Sequence, residues 1–590
     1  MRKQNNYKNC TVIFSLLLLG QALSSLAGET SGSLLGTDTP YVSTGVSTEK
    51  IENQGSSEAS SQQDSNRTNE PKSNVDASEL NQDATNYFDI LEFQVEGNTK
   101  LSAEKIEAAV YPQMGEKKSI SDVEKAREAL EKAYHEAGFL TVLVDIPEQD
   151  VDKKVVKLNV TEGKVGRLRV KDSDYYSLGR IKHLAQSVKE GEVPHFPTLQ
   201  KDISRLNRTS DKRVTPVMKA GKAFGTVDVD LKVEDNLPLH ASLELNDRFN
   251  NGTSRMRLAG MLRYDNLWQR EHSLSLNFIT SPEDTNEVKV LSANYLMRFD
   301  ESDMLLALYG VKSKSNVGLT IATGGLNVLG NANIFGARLI KPLPALDNYY
   351  HSVSFGLDYK DFGQKVGLDG GPDGEEKPIT YVPLSASYNG SWQQALGRTQ
   401  LTTGVTLGIR GLVADADEFS KNQDGAKPNF FVAKADLQHT QNLPMDFQGF
   451  AKISGQFSGT TLIANERFFA GGVDTVRGYR EAEALGDQAV HSTLEIRTPS
   501  MFKSSNWLQQ LRLSAFYDIA QIRIINPVDQ DRKSILSGAG FGLRLNTYKK
   551  INLSLDLAWA LNDSPSLDEF EVPITKKGDF QSHMRLWYEF

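Results

Sequence analysis

The sequence predicts a mainly β protein: a 16-stranded transmembrane antiparallel β-barrel preceded by two small α+β domains of element order β-α-α-β-β. Three observations carry this expectation. After Leu239 helical periodicity disappears, and sixteen segments follow that alternate polar and apolar residues with the period of a strand. The connections between them sort by length, short and long in turn, as in a barrel with tight turns at one rim and loops at the other. The final segment crowds Met584, Leu586, Trp587, Tyr588 and Phe590 into the last seven residues.

Bulk properties permit this reading and exclude others. A chain of 590 residues has room for a barrel and small domains. Hydrophobic residues make up 39% and charged residues 24%, which rules out a bundle of apolar helices. A β-barrel hides its membrane character, because lipid-facing and lumen-facing residues alternate and average to a hydrophilic chain. The formal charge of -9 argues against nucleic acid as a partner, since phosphate neutralisation needs a basic field.

At the N-terminus Arg2, Lys3 and Lys8 precede an apolar run from Val12 to Leu19, then Ser25-Leu26-Ala27 with small residues where a signal peptidase reads. Residues 1–27 are therefore read as a secretory signal peptide. The apolar run is too short to cross roughly 30 Å of hydrocarbon. Cys10, the one cysteine, leaves with the leader, so no disulfide supports the mature fold. Residues 28–87 are dominated by Ser, Thr, Asn, Gln, Glu and Asp, with few large apolar side chains beyond Leu34, Leu35 and Leu80. Such a segment cannot offset its ordering entropy and is read as a disordered linker. It shows no convincing amphipathic helix.

From Ile90 to Val95 the chain alternates as a half-buried strand, and a helix is expected over 102–110. Ser121 stands three residues before Glu124 as a capping box, and Val123, Ala126, Leu130, Ala133, Tyr134 and Ala137 recur at helical spacing until Gly138. Strands at 139–146 and 155–162 complete a first domain at 88–162. The order recurs over 163–237, with strands near Leu168, at 214–218 and at 226–233, and helices at 178–188 and 199–207. Two such units behind a leader resemble polypeptide-transport-associated (POTRA) domains.

The barrel is assigned to 238–590. Its strands are expected at 239–248, 255–265, 272–280, 288–299, 303–313, 331–342, 351–361 and 378–390. The second eight are at 397–410, 428–440, 446–457, 488–498, 510–521, 535–547, 549–561 and 580–590. Asp300-Glu301-Ser302 and the region around Lys549 are tight, whereas 362–377, 411–427 and 562–579 are long and polar. A β-sandwich has no reason to sort its loops this way. On the last strand Met584, Leu586, Tyr588 and Phe590 share one face and His583, Arg585, Trp587 and Glu589 the other. Tyr588 and Phe590 resemble the terminal aromatic signal that outer-membrane barrels offer to their assembly machinery.

The longest connection, 458–487, follows the eleventh strand and so is the sixth long loop. It reads SGTTLIANERFFAGGVDTVRGYREAEALGD and contains Val476-Arg477-Gly478-Tyr479, with Phe468, Phe469, Gly471, Gly472, Gly486 and Asp487 around it. Leu494 to Pro499 reads LEIRTP, and Phe516-Tyr517-Asp518-Ile519-Ala520 stands on the thirteenth strand. Together these resemble two-partner secretion transporters, the haemolysin and filamentous haemagglutinin secretion-activation proteins of TpsB type. The family's strand motif is Phe-x-Asp-x-Gly, so Ala520 departs from it and puts close approach of the loop backbone there in doubt. Strand parity sends Leu511, Leu513, Ala515, Tyr517 and Ile519 outward, and Arg512, Ser514, Phe516 and Asp518 into the lumen.

The resemblance implies a type V export pore in the outer membrane, with its N-terminal domains in the periplasm and outer-membrane lipid around it. It implies a secreted exoprotein partner of the adhesin, haemolysin or toxin class, and the barrel-assembly machinery as a partner in biogenesis. The pore-gating set is Val476, Arg477, Gly478 and Tyr479 with Phe516 and Asp518, Arg477 meeting Asp518. The alternative is a barrel-assembly insertase of the same superfamily, which usually carries more than two POTRA domains. A nutrient receptor would need a globular plug that this chain lacks.

No catalytic residue, metal site or cofactor is expected. The nine histidines are scattered, no H-E-x-x-H occurs, and the mature chain has no cysteine. Gly538-Ala539-Gly540-Phe541-Gly542 lies on a strand with no helix following, which fits lumen-facing or closely packed glycines better than a nucleotide loop.

Overall fold

A computed structural model describes residues 87–590 apart from 152, 251–252, 316–317, 322–325, 364, 367–374, 377, 414, 503–506, 528–530 and 569. The leader assigned to 1–27 and the linker assigned to 28–87 lie outside the described residues, save for Tyr87. The described chain divides into two units, one ending at Leu237 and one beginning at Pro238.

In the N-terminal unit the first repeat comprises β1 Phe88–Ile90, β2 Glu92–Glu96, α1 Ala103–Val110, β3 Gly115–Lys118, α2 Ile120–Glu136, β4 Val142–Asp145 and β5 Val155–Glu162. Its sheet runs β2-β5-β4, parallel then antiparallel, while β1 and β3 form a small ladder of their own. Val123, Ala126, Leu130 and Tyr134 of α2 are fully buried against Val142, Val144, Val156 and Leu158. Gly97 turns the chain at φ +89°, where a Cβ would collide with the Val160 carbonyl. Glu162 holds the following turn by accepting from the Thr99 and Lys100 backbone N–H groups at 2.7 and 2.9 Å.

The helix start differs from expectation. Ser119 is the N-cap, and Asp122 accepts from its backbone N–H at 3.0 Å and its hydroxyl at 2.9 Å. Ser121 and Glu124 lie inside the helix. Both pairs fit the same spacing, and burial of Val123 and Ala126 places the first turn early enough for Ser119 to cap it.

The second repeat comprises β6 Lys164–Lys171, α3 Leu178–Leu184, α4 Phe196–Leu206, β7 Lys212–Ala220 and β8 Thr226–Asp235. Its sheet runs β6-β8-β7, again parallel then antiparallel. Both repeats thus order their sheet first, third, second.

The second unit is a closed sixteen-stranded barrel. Its first half is β9 Leu239–Asn246, β10 Arg257–Leu267, β11 His272–Thr280, β12 Val288–Arg298, β13 Leu305–Ser315, β14 Asn331–Pro342, β15 Tyr349–Gly363 and β16, Ile379–Tyr381 continued by Pro383–Gln394. Pro383 brings no N–H to the ladder, which accounts for the break at Val382. The second half is β17 Gly397–Gly408, β18 Phe431–Asn442, β19 Gln448–Ser458, β20 Gln488–Arg497, β21 Leu508–Arg523, β22 Lys533–Thr547, β23 Ile551–Ala560 and β24 Phe580–Glu589. Successive strands pair antiparallel, and β24 closes on β9 from Arg585↔Asn246 to Glu589↔Ser242.

All sixteen expected strands are present, and the largest shift is at the end of β16, expected at 390 and found at Gln394. One rim has short links such as 395–396 and 548–550, and the other carries 409–430, 459–487 and 561–579. On β21 Leu513 and Tyr517 face outward while Ser514, Phe516 and Asp518 are buried inward. Among the described residues no helix is long and apolar enough to cross a membrane; crossing falls to the strands, whose outer wall presents Leu291, Phe335, Phe355 and Phe541.

Several short elements were not expected, among them β3, the loop strands Phe468–Ala470 and Ala484–Gly486, and one helix. α5, Ala416–Asn422, sits in the 409–430 loop, where Asp415 accepts from the Asp417 and Glu418 backbone N–H groups at 2.9 and 3.0 Å. Seven residues with one deeply buried apolar side chain, Phe419, leave no periodicity to read.

Candidate functional site

The sixth long loop, between β19 and β20, folds into the barrel. Its tip is Val476-Arg477-Gly478-Tyr479, and Val476 and Tyr479 are completely buried. Tyr479 donates its hydroxyl to the Asn562 carbonyl at 2.8 Å, and the Gly478 N–H donates to His583 Nε2 at 3.2 Å. Gly478 adopts φ +102° with the backbone of Trp559 and Ala560 against it, so both its conformation and its lack of a side chain are used.

Arg477 is the centre of the arrangement. Its Nε and Nη2 donate to Asp518 Oδ2 and Oδ1 at 2.8 and 3.1 Å, a bidentate pair, and its backbone N–H also reaches Oδ2 at 3.2 Å. Nη1 donates to Glu495 Oε2 at 3.0 Å and lies 3.7 Å from Asp556 Oδ1. The guanidinium carbon stands 3.3 Å from the centroid of the Phe516 ring. Burial opposes this charge, but hydrogen bonds to Asp518 and the charges of Asp518, Asp556 and Glu495 outweigh it and push the Arg477 pKa further up. Two more guanidinium groups share the carboxylates, Arg497 on Glu495 at 2.9 Å and Arg544 bidentate on Asp556 at 2.8 and 2.9 Å. Three cations and three carboxylates thus balance.

Ala520 does not keep the loop away. It is fully buried in a cluster with Val476, Tyr479, Ala484 and Leu536. The glycine that close approach requires stands on the next strand: a Cβ on Gly538 would lie 1.9 Å from the Arg477 carbonyl oxygen. On the same lumen face, a Cβ on Gly540 would crowd Phe516.

The start of the loop has anchors of its own. Glu466 accepts from Lys360 Nζ and from the Tyr381 hydroxyl, both at 2.6 Å. Asp487 accepts from Arg467 Nε at 3.1 Å and from the Leu462 and Ile525 N–H groups at 2.9 and 2.8 Å. Leu462 and Ile463 join Phe419 of α5, Phe430 and lumen-facing Val311, Ile334 and Phe362 in one buried apolar core.

The structure therefore gathers Val476, Arg477, Gly478, Tyr479, Phe516 and Asp518 at one place in the lumen. Tyr588 and Phe590 lie elsewhere, exposed on the outer face at the short-turn rim, where the Phe590 N–H donates to the Ala241 carbonyl at 2.9 Å. Sequence reasoning missed Glu495, Asp556, His583 and Gly538 as partners of the loop. Glu495 lies within the LEIRTP stretch, but inter-strand register was needed to set it level with Arg477.

The sequence pattern described as haemolysin secretion/activation protein ShlB/FhaC/HecB matches residues 225–545. The chain belongs to this family. A POTRA domain of ShlB type matches 88–163. Among curated relatives, the heme/hemopexin transporter protein HuxB of Haemophilus influenzae is 23% identical over 392 residues, 64% of this chain and 66% of that relative. The outer membrane transporter CdiB of Dickeya dadantii is 22% identical over 394 residues, 61% and 63% of the two chains. These alignments thus reach just under two thirds of the relatives' length. Of solved structures, CdiB from Escherichia coli superposes with a TM-score of 0.61 at 17% identity, over 88% of this chain and 93% of that one. BamA from Haemophilus ducreyi, lacking its first three POTRA domains, gives 0.50 at 14% identity over 86% and 100%. At these identities the likeness is one of fold.

Proposed function

We propose that this family member is an outer-membrane pore that takes a partner polypeptide from the periplasm and exports it to the cell surface. The observation that carries the reading is a charged loop tip, Val476 to Tyr479, locked into the lumen of a sixteen-stranded barrel by Asp518, Glu495 and Asp556. A loop held by such bonds can block a pore and can be released from it. The two repeats within 88–237 act as the receptor, and their outer strands offer an unpaired edge to an extended segment of cargo. No catalytic step is assigned to the chain. Export is driven by capture, vectorial release and folding of the cargo outside. The cargo is a secreted exoprotein of the adhesin, haemolysin or toxin class, and the barrel-assembly machinery inserts the barrel by way of its terminal strand.

The test compares secreted and surface proteins of cells with and without this chain. Loss of one large exoprotein with no general loss of outer-membrane barrels supports export. A general fall in assembled barrels instead favours the insertase reading.

A further inference from the structure

The outer wall of the barrel gathers positive charge at one place near its long-loop rim. Lys289 on β12 and Lys314 on β13 are direct cross-strand partners, and Lys312 lies one outward step further in, opposite Leu291. All three are exposed and share the outward parity of Leu291 and Leu308. Like charges set directly opposite destabilise a ladder. Among the described residues none of the three pairs with a carboxylate, and the Lys289 ammonium donates only to Asn286 Oδ1 at 2.9 Å. Asp361, two strands from Lys312 by register, is engaged by Asn333 at 3.2 Å and Thr380 at 2.9 Å.

Immediately below the lysines the wall carries a shallow depression open to its outer side. Ala293 and Gly310 are the next outward pair, and with Ala337, Phe335 and Tyr359 they line an apolar recess of about 640 Å³. Packing does not demand the glycine, since a Cβ on Gly310 would meet nothing closer than the Phe335 ring at 3.4 Å. A triad of ammonium groups with no carboxylate partner among the described residues, at the headgroup level above an apolar groove at the acyl level, matches one kind of molecule in both charge and depth.

We propose that Lys289, Lys312 and Lys314 with the Ala293–Gly310 recess form a binding site for a phosphorylated, multiply acylated glycolipid of the outer leaflet. Its phosphates lie on the lysines and one acyl chain fills the recess. A free phosphate would leave the recess empty, and an uncharged lipid would leave the lysines facing one another.

The full chain is reconstituted in nanodiscs of phosphatidylethanolamine containing either diphosphoryl lipid A or phosphatidylglycerol, extracted into detergent, and weighed by native mass spectrometry to count retained lipid. Wild type retains lipid A and not phosphatidylglycerol. Replacing all three lysines, Lys289→Gln with Lys312→Gln and Lys314→Gln, lowers retention by at least about tenfold, three charges near a surface being lost. Gly310→Leu keeps the charges, fills the recess and lowers retention as well. Heat-modifiable mobility reports assembly, so either variant decides the matter if the other fails to insert. Equal retention by wild type and an assembled variant, or equal retention of both lipids, overturns the site.

Discussion

Arg477 and Asp518 meet through three hydrogen bonds, two from the guanidinium and one from the backbone N–H, so that one carboxylate fixes both the side chain and the chain path of the loop tip. Removing one member of a buried pair costs about 3 to 5 kcal/mol, because the other charge is stranded. The two members are not equivalent here. Asp518→Ala leaves Arg477 with Glu495 and Asp556. Arg477→Ala instead removes every side-chain bond of the loop tip to the three carboxylates and strands Asp518, while Glu495 and Asp556 keep Arg497 and Arg544. Arg477→Ala therefore loosens the loop more than Asp518→Ala, and the double variant costs less than the sum. Limited proteolysis of the assembled barrel measures this; equal and additive effects contradict it.

Gly538 predicts a second loosening without loss of charge. Gly538→Ala places a Cβ within 1.9 Å of the Arg477 carbonyl oxygen, and a backbone atom cannot yield as a side-chain tip can. The loop becomes protease-sensitive while heat-modifiable mobility of the barrel stays near normal. An unchanged digestion pattern would show that the loop backbone does not sit on β22.

The C-terminal strand closes the barrel against β9, and Phe590 adds its N–H to that seam. Deleting Phe590 lowers the yield of heat-modifiable barrel in the outer membrane, with a smaller fall for Tyr588→Ala. Wild-type yield from the deletion sets aside the assembly-signal role.

In the N-terminal unit, the Ser119 backbone N–H and Lys125 hold Asp122 down to about 2, and Lys171 and Arg169 hold Asp230 down to about 2. A folded pKa below the unfolded one stabilises the fold above the ordinary carboxylate range near 4, and that stabilisation is lost as pH falls through about 2. These groups therefore leave melting of the unit flat between about pH 5 and 8 and lower it only below about 4. Calorimetry across pH checks the sign, and Asp122→Asn flattens the acid limb.

How much was legible follows from the range of each signal. Polar and apolar residues alternate along β11 and β14, and the expected 272–280 and 331–342 coincide with the observed strands. α5 escaped because its apolar burial rests on Phe419 alone in about two capped turns. The helix cap was displaced because Ser119–Asp122 and Ser121–Glu124 satisfy one spacing, and only packing of α2 decides between them. At the site, Arg477 and Asp518 stand in local motifs. Glu495, Asp556 and Gly538 reach Arg477 from β20, β23 and β22, and a single sequence carries no record of which residues those strands set at one height.

The most direct measurement is export of the partner by Arg477→Ala at wild-type surface level, with Asp518→Ala beside it. The latch predicts that both depress secretion, Arg477→Ala more strongly, while barrel insertion stays near normal. Normal secretion by both single variants would contradict it, because neither residue could then hold the loop on which passage through the pore depends.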